Sequence, residues 1–344
     1  MLKIKTNKGY LDLGGDFTVQ IDEKSPVMND RGSQTVPVTV PCTGNNAKIT
    51  GFAHRLDMGI KPMNEDQACT ILDGSYKRTG KINIVSAGNK EGITLNIGFD
   101  NSEAYSAWKA KKLNSITLPS ISGGTVSGLM SSINWFFTDS HEDFAIFQIV
   151  VKNDSKDGTY YPQYINRITL DSNGEYALCY QARTETLLIN DTPTETSLPE
   201  GYGVAPFLYV HRVLDFIFSE FGYTITENPF KTNKELSNLV ILNNAADCCV
   251  KGKLSYADLM PDCTVEDFLN ALHVRFGLVY NVSSDTKTAT LRLIRDIVDD
   301  VPDIDLSRSL TDEPLITYET ARQMKLSAKT SFTGAAPSVE RFED

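Results

Sequence analysis

An apolar helical run that ends in Phe-Gly and passes straight into a strand occurs twice in this chain, 55 residues apart. The first copy is Val213-Leu214-Asp215-Phe216-Ile217-Phe218-Ser219-Glu220-Phe221-Gly222-Tyr223-Thr224-Ile225. The second is Phe268-Leu269-Asn270-Ala271-Leu272-His273-Val274-Arg275-Phe276-Gly277-Leu278-Val279-Tyr280. Glycine after such a helix supplies the left-handed residue that stops it and redirects the chain. In the first copy Phe207, Val210, Leu214, Ile217 and Phe221 form one apolar stripe, with Pro206 suited to the first helical position. In the second, Thr264 and Asp267 approximate a capping box, and Val265, Phe268, Leu269, Leu272 and Phe276 repeat the stripe. Its strand then enters a hairpin, turned by residues 283–287, in which Ala289, Leu291 and Leu293 alternate with Thr288, Thr290 and Arg292. Two such units can pack their stripes into one α+β core. Internal duplication and convergence on a common helix–Gly–strand form both explain the match, and neither copy presents a catalytic group.

The rest of the chain reads as β-structure. Tyr10-Leu11-Asp12-Leu13 and Phe17-Thr18-Val19-Gln20-Ile21 alternate around Gly14-Gly15, which predicts a hairpin. Thr35–Pro41 is β-branched, but its prolines predict an edge strand or a strand entering a bend. Three glycine-punctuated strands follow, within residues 70–74, 80–85 and 92–99, and suggest a small barrel or sandwich. A helix is expected from Asp100 or Ser102 to Leu113. Ser120–Thr125 reads as a flexible joint, Phe144–Val151 as a buried strand, and Thr192–Gly203 as the most linker-like segment. The expected fold class is therefore α+β, β-rich and multidomain: a small β-barrel or sandwich domain plus a domain with two helix–Gly–strand units. The expected segments are 1–118, barrel-like; 119–204, a second β-rich domain; 205–300, the α+β domain; and 301–344, a terminal strand returning to another domain. The 344-residue length agrees with more than one core. The chain stops at Asp344 without a visible terminating element, so a natural continuation past this point is expected.

Composition excludes several classes. The chain has 33 basic and 44 acidic residues, net −11, which opposes a nucleic-acid binder held by phosphate contacts. Six cysteines are scattered without a Cys-x-x-Cys pair, and Cys248-Cys249 are adjacent, so reduced, mostly buried thiols are expected. No signal-peptide pattern opens the chain and its longest apolar stretch is far short of a membrane span, so synthesis in a cytoplasm and no membrane partner are expected. Three matches to the glycosylation sequon, at Asn153, Asn190 and Asn281, are then chance.

Candidate chemistry dissolves on inspection. Gly74–Ile82 resembles a phosphate loop, but five residues separate its glycines and Ile82 stands where a metal-binding hydroxyl is needed; a hairpin turn is the better reading. Asp296, Asp299, Asp300, Asp303 and Asp305 lack calcium-loop spacing and read as a solvated acidic loop. His54, His141, His211 and His273 are dispersed, without the paired helical histidines of a metalloprotease. No Gly-x-Ser-x-Gly elbow exists. No catalytic residue, metal site or cofactor is expected, and the protein is read as a non-enzyme. One aromatic cluster, Tyr160, Tyr161 and Tyr164, could face outward as a partner or glycan interface, or pack into a β-edge.

A set of structural residues carries a resemblance. It comprises residues 17–26, 32–41, Asn45-Asn46, Gly51–Asp57, the Gly74/Gly80 hairpin, Phe207–Tyr223, Thr264–Val282 and Gly334-Ala335-Ala336-Pro337. In this order they resemble tail-region proteins encoded in prophages of gut anaerobes and, more distantly, the baseplate hub proteins of contractile-tailed phages and related secretion spikes. The resemblance spans nearly the whole chain and contains no diagnostic catalytic motif. It implies β-barrel tube domains, helix-bearing companions and self-assembly into a ring, usually a trimer, joining tail tube to spike, with other tail proteins as partners. Such a protein is cytoplasmic during assembly and then part of the virion tail. Two other classes stay open: a glycan- or receptor-binding module, and a fragment of a tail-associated hydrolase.

Overall fold

Every second side chain in the strands of the first hundred residues turns to one side, and the outcome is one antiparallel eight-stranded sheet. The structure is a computed structural model that describes residues 2–22, 33–58, 67–100, 104, 107–133, 141–150, 164–170, 173–189 and 192–300. The sheet contains β1 (Lys3–Thr6), β2 (Gly9–Tyr10), β3 (Ile21–Asp22), β4 (Ser33–Thr35), β5 (Val38–Val40), β6 (Gln67–Asp73), β7 (Tyr76–Gly88) and β8 (Gly92–Phe99). Their order is β2-β1-β6-β7-β8-β4-β3, with β5 also on β8. Ile4, Ile71, Ile82, Leu95, Ile97 and Phe99 bury one face, beneath Leu11, Leu13, Phe17 and Ile49. Ile49 belongs to α1 (Gly44–Ile49), capped by the Thr43 hydroxyl.

Several expectations change here. The sheet is open, not a barrel: β2 and β3, two residues each, end its two edges without meeting. The first hairpin turns at Asn7-Lys8, not at Gly14-Gly15, because Leu11 folds back to donate to Ile4 and residues 11–20 cover the core without pairing as a strand. Pro37 does break a strand, and β4 and β5 on its two sides both pair with β8. Gly92 permits this approach: its φ is +86°, and a Cβ there would lie 2.6 Å from the Val40 carbonyl oxygen.

One apolar cluster gathers residues from Ala104 to Leu293 and runs continuously across position 204. Its elements are β9 (Ser120–Ser122), α2 (Val126–Ile133), β10 (Phe144–Ala145), β11 (Ile149–Val150), β12 (Tyr164–Ile165), β13 (Ile168–Leu170), β14 (Tyr176–Leu178), β15 (Arg183–Ile189), β16 (Thr192–Leu198), β17 (Phe207–Leu208), α3 (Val210–Glu220), β18 (Thr224–Glu227), α4 (Pro229–Thr232), β19 (Lys253–Ser255), α5 (Val265–Phe276), β20 (Leu278–Ser283), β21 (Thr288–Leu293) and α6 (Ile294–Val298). Both helix–strand units form as the sequence predicts. Their strands join one sheet, β18-β21-β20, with β18 parallel and β20 antiparallel to β21. Trp108 is fully buried between them, edge-on to Phe218 and Phe221 of the first unit and to Tyr280 of the second at 5.7, 5.9 and 5.1 Å.

Other local expectations are corrected in this core. Pro206 does not begin a helix, since Phe207-Leu208 pair with Phe144-Ala145 and α3 starts at Val210. Phe144–Val151 is not one buried strand: it divides into β10 and β11, and Val150 is 68% exposed. Ser120–Ser122 is a strand paired with β19 rather than a free joint. The linker-like Thr192–Leu198 is a seven-residue strand paired along its whole length with β15. The helix expected to reach Leu113 has left helical conformation by Lys109, and Lys112 instead bridges to Thr264. The acidic run after Ile294 begins as α6, while Asp303, Asp305 and the strand expected within 301–344 lie outside the described residues.

Asn166 is fully buried and acts as a substitute strand. Its side-chain amide donates to the Ala205 carbonyl (2.8 Å) and the Phe147 carbonyl (3.2 Å), and its oxygen accepts from the Ala205 N–H (2.9 Å).

Gly277 closes α5 at φ +70°, its N–H bonding back to His273, and a Cβ there would meet Ile294 at an ordinary contact distance of 3.5 Å, without a clash. The cost of a side chain there is conformational. Gly277→Ala is expected to lower unfolding free energy by about 1–2 kcal/mol, measured by urea denaturation, without changing the far-UV circular dichroism of the folded state.

Candidate functional site

Where the two helix–strand units meet, the surface opens into a groove of about 450 Å³. Its floor is the parallel β18–β21 pair, tied by the Thr226 hydroxyl to the Ala289 carbonyl and the Thr290 hydroxyl, each at 3.1 Å. One wall is α4, which starts here because the Asn228 side chain caps Phe230 N–H and Pro229 occupies the first turn. Asp215 from α3, Glu227, Lys231, Arg292 and Asp296 from α6 bring three carboxylates and two cations to the lining. Asp215 is held by Arg212 at 3.3 Å. No histidine, cysteine, serine or tyrosine lines the groove, and among the described residues no group of three or more His, Cys, Asp or Glu is placed to hold a metal. The arrangement can hydrogen-bond and ion-pair a small polar ligand.

Behind the groove lies a charge network that fixes α3. Asp143 accepts from Arg212 Nε at 2.5 Å and from the Tyr256 hydroxyl at 2.9 Å, while its carbonyl accepts from Tyr209 N–H. Arg212 also reaches Glu142 at 3.4 Å and lies over the Phe216 ring. Burial opposes the Arg212 charge, but the hydrogen bond and attraction of Asp143 outweigh it and hold its pKa above the ordinary value. Burial, followed by the bond to Asp143, likewise pushes the Tyr256 hydroxyl up. His141 stacks on Phe144 at 3.8 Å, and burial lowers its pKa despite the nearby Asp143 and Glu142. Burial also lowers that of His211, which stacks on Tyr209 and whose Nδ1 has no hydrogen-bond partner. The network clamps the turn before β10 onto α3 and is structural.

The predicted interface is only partly in view. Tyr160 and Tyr161 lie outside the described residues; Tyr164 is half-buried in β12 with the Arg167 guanidinium 6.0 Å from its ring centre. The outward apolar groups nearby are ones the sequence did not single out. Leu170 and Tyr176 stand opposite each other in the β13–β14 hairpin, 62% and 67% exposed. Gly74–Ile82 is a hairpin, with Asp73 opposite Tyr76. None of the six cysteines forms a disulfide. Cys69, Cys248 and Cys249 are buried, and a bond to Cys249 together with burial raises the Cys248 pKa, as expected of an inert thiol. His273 bonds the Leu278 carbonyl through Nδ1, a turn contact at the end of α5. Neither the groove nor the Arg212 network was visible in sequence, because their members are spread from residue 142 to 296 with no local spacing.

No protein-family model, curated protein or solved structure matches this chain. Its class therefore rests on its own geometry: a β-rich α+β protein whose sheets are not closed into a barrel. No helix among the described residues is long and apolar enough to cross a membrane.

Two outcomes follow. Removing the guanidinium in Arg212→Ala leaves Asp143 half-paired and is expected to cost about 2 kcal/mol in a urea titration. His141 and His211 have depressed pKa values, so the unfolded chain takes up their protons first. Glu220, held low by the Thr117 N–H and by Lys111, acts in the same direction at lower pH. Stability should be fully present above about pH 6.5 and fall as pH drops below it, with His211→Gln flattening the upper part of that decline.

Proposed function

We propose that this chain is a structural protein of a prophage tail or baseplate, a hub-like component that assembles with copies of itself into a ring between tail tube and spike. One observation supports this most: the eight-stranded sheet buries its apolar core on one face, and described residues of its other face meet solvent. Lys3, Lys5 and Asn83 are exposed there, while Thr70, Lys81 and Asn96 are half-exposed. A wide strand platform of this kind suits assembly against other subunits. The groove, with ordinary polar side chains, is no obstacle to that role. The protein would be made in the cytoplasm, join other tail proteins and end in the virion tail, contacting no specific nucleic-acid sequence.

A second reading, a glycan- or receptor-binding module of a tail, is favoured by the polar groove and by the outward Leu170 and Tyr176. Light scattering on a size-exclusion column at two protein concentrations separates the two. A concentration-independent mass of three or more chains is expected for the ring. A monomer throughout counts against it and moves attention to the groove.

A further inference from the structure

Strands β15 and β16 pair with each other and with no other described strand, so each keeps one open edge. Their register runs without a shift from Arg183↔Leu198 to Ile189↔Thr192, where two residues intervene. The closing pair of a two-residue hairpin is a hydrogen-bonded one, and the two kinds of pair alternate along the ladder. Leu188↔Pro193, Thr186↔Glu195 and Thr184↔Ser197 are therefore the non-hydrogen-bonded pairs, whose N–H and C=O groups point away from the facing strand. The proline obeys the same rule: its missing N–H falls on the outer edge of β16, where it removes no ladder bond. That edge is blunted by Pro193 and again by the exposed Glu195. On the outer edge of β15 the main-chain groups of Thr184, Thr186 and Leu188 are intact, and none has a main-chain partner among the described residues.

We propose that the outer edge of β15 pairs antiparallel with the same edge of a second copy, across a two-fold axis at Thr186, and joins two hairpins into one four-stranded sheet. The strand is complementary to itself. The register that overlaps both copies fully sets Thr186 opposite the partner's Thr186 and Thr184 opposite the partner's Leu188, so outward-pointing groups meet outward-pointing groups. Between them Glu185 stands beside the partner's Leu187, and Arg183 beside the partner's Ile189, so no like charges face each other. The Glu185 charge is met within its own chain, by Arg183 Nε at 2.6 Å and Arg167 Nη1 at 3.0 Å. Thr184 and Thr186 are exposed, and threonine opposite threonine is a favourable cross-strand pair. Pro193 sets where the assembly ends. Each hairpin has a single edge able to pair, so two copies satisfy both edges and the sheet closes at four strands. A foreign strand would satisfy one copy's edge, whereas the second copy satisfies two at once. This two-fold contact goes beyond the ring reading and does not depend on it.

The test uses the full chain and Thr186→Pro, which removes the N–H at the two-fold axis. That group points away from β16, so the hairpin ladder stays whole, and circular dichroism verifies the fold. Light scattering is expected to give an even number of chains for the wild type and half that mass for the variant, with self-association weakened about tenfold or more. A second variant reads the register directly. Thr186→Cys is expected to form an intermolecular disulfide under mild oxidation, because the Cα atoms of a hydrogen-bonded pair lie about 5.5 Å apart, whereas Glu195→Cys on the blunted edge is expected to form none. A hexamer that falls to a trimer upholds both the edge and the ring. A dimer that falls to a monomer upholds the edge and overturns the ring. A trimer that Thr186→Pro leaves unchanged, with no link in Thr186→Cys, overturns the edge and leaves the ring standing. A wild-type monomer overturns both. Where Thr186→Pro disturbs the fold, the Thr186→Cys link alone upholds the proposal and its absence overturns it.

Discussion

Strand β21 is hydrogen-bonded along both edges, in parallel to β18 and antiparallel to β20. Each helix–strand unit alone buries a stripe on one side of a short strand, too little for an independent core. Sharing β21 converts the two units into one sheet with α3 and α5 packed against it. Ala289, Leu291 and Leu293 then face a single apolar interior, together with Trp108. Trp108 comes from the segment that leaves the first sheet. One large ring thereby commits the chain's early part to the later core, at the point where both units converge.

Specific polar contacts among the described residues join the first sheet to this core. Asp100, at φ +47°, accepts from Arg78 at 3.0 Å with one oxygen and from the Ser284 N–H at 3.2 Å with the other. Within the later core, Lys111 pairs with Glu220 at 3.0 Å, and Leu113 N–H bonds the Cys263 carbonyl, which fixes the segment that follows Trp108. Polar contacts of this kind fix direction more than they add stability.

What the sequence disclosed follows the range of the forces involved. The Phe-Gly stops, the Thr264–Asp267 box, the alternation in β21 and the break at Pro37 are local rules, and all appear in the structure. Sheet closure is not local. Three glycine-bounded strands look alike in a barrel and in an open sheet, and the difference lies in whether β2 and β3 meet. Thr192–Leu198 carries Pro, Thr and Glu, the composition of a linker, yet β15 supplies a partner for its backbone and tertiary context overrides the propensity. The groove draws on five elements, and its contiguous run at residues 225–229 meets Asp215, Arg292 and Asp296 only through the fold. Of the tyrosine cluster only Tyr164 is within the described residues, and it turned out to be packed under an arginine.

Asn166 carries a consequence for how this protein would vary across relatives. Its amide presents to Ala205 the same donor and acceptor pair that a neighbouring backbone would, inside a site with no solvent. Aspartate would bring a buried charge without the donor, and leucine would strand three backbone groups. A single polar residue fixed at such a position would resemble a catalytic asparagine in any sequence comparison, although its partner is the protein's own main chain.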